Sequence, residues 1–107
     1  MEDHSHAGQG AVVLDIGGSV GALVVSMPRQ MEGVEVEIRP HGQPLSTSAP
    51  HVAVVGRPTE NGIAYTLVFS ALLSGRYQLS ERHGETVALM SEVQGGAVTF
   101  AHWPNTG

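Results

Sequence analysis

This chain has no cysteine and no lysine. Without cysteine there can be no disulfide and no thiolate metal site. Without lysine, the fixed positive charge is limited to arginines at 29, 39, 57, 76 and 82, never closer together than six positions. Ten acidic residues outnumber them, for a formal net charge of −5. A nucleic-acid surface needs a basic stripe to neutralise phosphates, and no such stripe exists, so nucleic acid is not an expected partner. Aromatic residues are only 5 % of the chain (one Trp, two Tyr, two Phe), poor material for the coplanar platform of a carbohydrate-binding module. Long apolar runs are missing as well. The stretch from Ala11 to Val25 is broken by Asp15 and three glycines and is too short to cross a bilayer. The opening Met1-Glu2-Asp3-His4 carries the wrong charge for a secretory leader, so the expectation is a soluble cytoplasmic protein with no membrane partner.

What the chain does have is β-strand material. Its 107 residues suffice for one domain with a modest core. Residues 1–10 read as a flexible polar tail and 11–104 as a single domain. Val12, Leu14 and Ile16 alternate with Val13 and Asp15, Gly17-Gly18-Ser19 reads as a turn, and Ala22–Ser26 as a returning hairpin partner. Val34, Val36 and Ile38 alternate with Glu35, Glu37 and Arg39, the pattern of a half-buried strand with one charged face in water. Pro40–Pro50 reads as a long loop and His51–Val55 as a strand. Gly56–Gly62 reads as a turn in which Asn61-Gly62 favours positive φ. Ile63, Tyr65, Leu67 and Phe69 share one face of the next strand, and residues 70–74 read as an apolar linker. Arg76–Glu81 follows with Tyr77 and Leu79 inward. His83-Gly84 turns the chain, Thr86–Val93 runs back, and Gln94-Gly95-Gly96 turns it again. Val98, Phe100 and His102 are expected on the inner face of the last strand, with Trp103 at its edge. No segment keeps a 3.6-residue apolar period over a helical length. The expectation is an all-β fold, an antiparallel β-sandwich of seven or eight strands.

The motif Leu72-Leu73-Ser74-Gly75-Arg76-Tyr77-Gln78-Leu79, followed by Val87–Val93 and Gly95-Gly96, resembles the closing strands of transthyretin-like and carboxypeptidase-regulatory-like sandwiches, including the stalk modules of bacterial adhesins. Val34-Glu35-Val36-Glu37-Ile38 is similar to an earlier strand of the same modules. The resemblance implies a transthyretin-like or Ig-like scaffold used for binding, assembly or spacing, and carries no catalytic residue across. Adhesin modules often hold a Lys–Asn isopeptide crosslink, which a chain without lysine cannot form. As a whole the chain also resembles small actinobacterial proteins, a likeness that implies no function.

Val13-Leu14-Asp15-Ile16-Gly17-Gly18-Ser19-Val20-Gly21 resembles the first motif of S-adenosylmethionine-dependent methyltransferases, where a helix must follow the glycine turn. Here Ala22–Pro28 follows, a β-branched run ending in proline and a poor helix. The same residues resemble the phosphate hairpin of sugar kinases and actin-like ATPases, which needs two large domains. A structural turn is the better reading, and no cofactor is expected. No serine lies on a strained strand-to-helix turn, and alternation directs Asp15 outward, so the pattern points away from catalysis. Six histidines raise a metal alternative. His4 and His6 sit in the tail and His41 and His51 flank the proline loop. A small cupin-like barrel would need convergence of His51, His83 and His102 with an acid such as Glu81 or Glu85. Interface candidates are Trp103, which either caps the core or anchors a partner, and the weakly polar strand faces carrying Ala64, Thr66 and Val68, and Ala88 and Met90. These favour a homo-oligomer or a protein partner.

Overall fold

Alternation in the sequence becomes eight strands in a computed structural model that describes residues 16–44 and 49–104. They are β1 (Val20–Ser26), β2 (Glu35–Pro40), β3 (His51–Ala53), β4 (Val55–Thr59), β5 (Gly62–Leu73), β6 (Gly75–Glu81), β7 (Leu89–Val93) and β8 (Val98–His102). A single 3-10 turn, Arg29–Met31, lies between β1 and β2. Sheet I has the order β4-β5-β1-β8 and sheet II the order β3-β2-β6-β7. The chain changes sheet after β1, β3, β5 and β7, so antiparallel neighbours are laid down in pairs, β2 with β3, β4 with β5 and β6 with β7. The first and last strands complete sheet I by pairing in parallel, Ala22 beside Val98 and Ser26 beside His102.

The core lies between the sheets. Leu23, Val25 and Met27, Leu67 and Phe69 face it from sheet I; Val36, Ile38, Leu79 and Val93 face it from sheet II. Val54, also buried, sits where β3 passes to β4, and its N–H and C=O are both bonded to the Gly33-Val34 backbone. That pinning switches the chain between sheets within one residue. All these residues are apolar and reach the interior from alternate positions, as a two-layer fold requires.

An all-β sandwich with eight strands matches the sequence expectation, and five local readings change. Gly56–Gly62 is not one turn: Val55–Thr59 is strand β4, and only its end turns, with Gly62 at φ +122°. Pro58 is tolerated because β4 lies at a sheet edge, where no inter-strand partner needs its missing N–H. Residues 70–74 are not a linker, since β5 runs on to Leu73 with a bulge opposite Ala22. Both sides of β1 are taken, by β5 and β8, so Ala22–Ser26 is not an arm of a hairpin with the segment before it. The expected strand at 12–16 lies almost wholly outside the described residues, as does the 1–10 tail. His51–Val55 is not one strand: it is divided at Val54 between β3 and β4, in different sheets. Ile63, on the face it shares with Tyr65, Leu67 and Phe69, is exposed at the hairpin end. Finally, β8 presents the opposite face to the one expected: Thr99 and Ala101 align with inward Leu23 and Val25, while Phe100 is 75 % exposed and His102 is exposed.

Candidate interaction surface

The two sheets differ in charge. β1, β5 and β8 hold no Asp, Glu, Lys or Arg, and Arg57 on β4 is the single charged residue in the strands of sheet I. The strands of sheet II hold six: Glu35, Glu37, Arg39, Arg76, Glu81 and Glu92. A sheet face in water normally carries polar residues at every outward position. Sheet II follows that rule apart from Met90 and Ala53, and sheet I does not.

Registers fix what sheet I presents. One cross-sheet row runs Val55, Thr66, Ser26, His102, and the next runs Val68, Val24, Phe100. Because Leu67, Leu23 and Val25 point into the core, these neighbours point outward. On this face the Arg57 guanidinium donates to Thr66 Oγ1 at 2.8 Å. What is left is an aliphatic strip ending in the exposed Phe100 ring at the β8 edge.

Sheet II is finished differently. The Gly42-Gln43 loop crosses its outer face and is held by Gln78, whose Nε2 donates to the Gln43 carbonyl at 2.9 Å and whose Oε1 accepts from the Gly42 N–H at 3.3 Å. Beside it, Arg39 is only 3 % exposed and pairs with Glu37 at 2.7 Å, so this end of the charged β2 face is covered rather than in water as its alternation suggested. Buried charge is tolerable only when paired in this way. At the β7 edge a shallow open hollow of about 230 Å³ is lined by Arg76, Met90, Ser91 and Glu92.

The interface candidates are therefore divided. Thr66 and Val68 lie together on the outer face of sheet I. Met90 is aligned with Gln78 on the outer face of sheet II, on the other side of the molecule. Trp103 is half-buried and packs against the core, and its main-chain N–H donates to the Ser26 carbonyl at 2.9 Å. Sequence reasoning missed Phe100 and Val24. Period-two alternation divides a strand into two faces without saying which is inner, and the larger residues of β8 happen to lie on the outer one.

The three histidines proposed as metal ligands are not brought together. His51 is on β3 and His102 on β8, strands at opposite flanks of the sandwich. His83 occupies the β6–β7 turn at φ 68°, a left-handed position for a non-glycine residue. His51 Nε2 lies 3.9 Å from Glu35 Oε1, a carboxylate that Arg82 already holds at 2.5 Å. The Arg82 hydrogen bond lowers the Glu35 pKa from its ordinary 4.5; partial desolvation opposes it, and the charges of Arg82, His51 and His83 assist. Among the described residues no group of three or more His, Asp or Glu side chains is placed to hold a metal ion. No helix of the described residues is long and apolar enough to cross a membrane.

No family model, no curated protein and no solved structure matches this chain.

Proposed function

We propose that this protein is a non-enzymatic β-sandwich that works by association, a scaffold whose contact surface is the outer face of sheet I. The observation that carries the reading is the charge-free row Val68, Val24, Phe100, which ends in a large aromatic side chain left in water. Phe100 is exposed and Val24 and Val68 are half-buried beside it, and an exposed aromatic side chain flanked by aliphatic ones is what a protein contact buries. The likeness of the Leu72–Leu79 motif to transthyretin-like modules supports a scaffold. So does the scatter of His51, His83 and His102, which offers catalysis no convergent set.

A native mass spectrum of the untagged chain, recorded before and after chelation, tests this. A dimer or larger assembly that survives the chelator is expected. A monomer at every concentration overturns the reading. A stoichiometric metal whose removal dissolves the assembly would replace it with a histidine-centred one.

A further inference from the structure

Four strand edges border the two sheets, and three are protected against pairing with another chain. β4 carries Arg57 and Pro58; β3 is three residues long and directly follows Pro50; β7 carries Glu92. Charge, proline and shortness are the usual edge protections. β8, Val-Thr-Phe-Ala-His, has none of them. From Gln94 to Pro104 no residue carries a fixed charge, in a chain whose net charge is −5.

The β1–β8 ladder determines which main-chain groups remain free. Ala22 N–H donates to the Ala97 carbonyl, and Trp103 N–H donates to the Ser26 carbonyl. A parallel ladder uses alternate residues, so Ala97, Thr99, Ala101 and Trp103 are spent on β1. The N–H and C=O of Val98, Phe100 and His102 point to the open side, and no described group meets them.

We infer that a second copy of this chain pairs with β8 in antiparallel fashion about a two-fold axis at Phe100. That register sets Val98 opposite His102 of the other copy and Phe100 opposite Phe100, and it uses every free N–H and C=O of the three residues. An axis at Thr99 or Ala101 would strand His102 or Val98. The pairing is isologous, as a closed dimer requires. It extends the row Val68, Val24, Phe100 across the axis, with the two Phe100 rings as cross-strand neighbours, their Cα atoms about 5.5 Å apart. The sheets become one eight-stranded sheet, and two acidic chains meet along a stretch with no like charges to oppose them. The inference rests on the reading of sheet I as the association surface and names its partner.

Two variants and one wild-type measurement test it. Val98→Pro removes an N–H that β1 does not use, whereas Val68→Lys charges the outer face two strands away from the edge. By native mass spectrometry over a dilution series, Val98→Pro is expected to raise the dimer dissociation constant at least tenfold, and by more than Val68→Lys raises it. In the wild-type protein, amide exchange followed by NMR should slow at least tenfold at Val98, Phe100 and His102 between dilute and concentrated samples. Thr99 and Ala101 should be protected in both. A dimer lost in Val68→Lys but kept in Val98→Pro means face-to-face packing, which overturns the edge pairing and leaves the association surface standing. Fast exchange at the three amides in a sample that is mostly dimer overturns it without any variant. A wild-type monomer throughout removes both.

Discussion

Tyr77 closes the corner where the chain passes from sheet I to sheet II, and replacing it with phenylalanine tests how that corner is held. β5 ends at Leu73, Ser74 N–H donates to the Ser19 carbonyl at 2.8 Å, Gly75 takes φ +153°, and β6 begins. Two residues on, the Tyr77 ring packs against the core while its hydroxyl donates to the Leu73 carbonyl at 2.7 Å. A net hydrogen bond of this kind is worth about 1 kcal/mol. The Leu73 carbonyl can be rehydrated when the hydroxyl goes, because this bond lies in an exposed region, so the loss should sit at or a little below that figure. For a domain of this size, about 1 kcal/mol lowers the melting temperature by about 4–8 °C. Burial also raises the Tyr77 pKa above its ordinary 10. The sign follows: the unfolded chain loses this proton first, so the contribution is complete below pH 10 and declines as pH rises from 10 through the higher folded-state value. Tyr77→Phe should therefore melt lower than wild type at pH 7 and lose stability less steeply above pH 10. Thermal and urea unfolding followed by circular dichroism at pH 7 and across the alkaline range measures both. An unchanged midpoint at pH 7 with an unchanged alkaline decline would refute the reasoning.

Two further outcomes can be checked on the same protein. Glu35 has a lowered pKa because Arg82 hydrogen-bonds it, so its contribution to stability is present above about 4.5 and lost as pH falls through the lower folded-state value. In Arg82→Gln, an NMR titration should find the Glu35 carboxyl shifted upward, and no movement would show that Arg82 is not the cause. A Cβ at Gly21 would overlap the Gln94 carbonyl oxygen and lie 2.9 Å from that of Ala97. Gly21→Ala should therefore cost about 1–3 kcal/mol in urea unfolding, the usual penalty for overpacking, and a cost near zero would mean that the Gln94–Ala97 turn yields freely.

The parts of this fold legible in the sequence are those where chemistry and period agree. Val36 and Ile38 against Glu35 and Glu37 could be read directly, because charge marks the outer face. Tyr77 and Leu79 could be read as inward from alternation along Arg76–Glu81, and Leu79 lies in the core with Tyr77 packed against it. β8 was not, because none of its residues carries a charge to say which side meets water, and its large residues turned out to be the exposed ones. Gly56 and Pro58 read as a turn because both residues favour turns locally; an edge position, which only tertiary pairing assigns, makes a strand acceptable there. The split of Thr66 and Val68 from Met90 likewise depends on which sheet each strand joins. The weakly polar character of the 64–68 face was visible in advance, and Val24 and Phe100 joined it only through pairing across sheet I.

The parallel contact between β1 and β8 also bears on how the chain is made. Ala22 meets Val98, a partner 76 positions later, so the sheet cannot be completed until nearly the whole described chain is available. During synthesis β1, with the sequence VGALVVS, waits with one side of its backbone open and no charge to discourage intruders. Contacts this distant in sequence also slow folding, since loop-closure entropy is spent before the reward arrives. A ribosome paused before residue 98 thus holds a nascent chain with an unguarded, β-branched edge, and the final strand is the part that seals it.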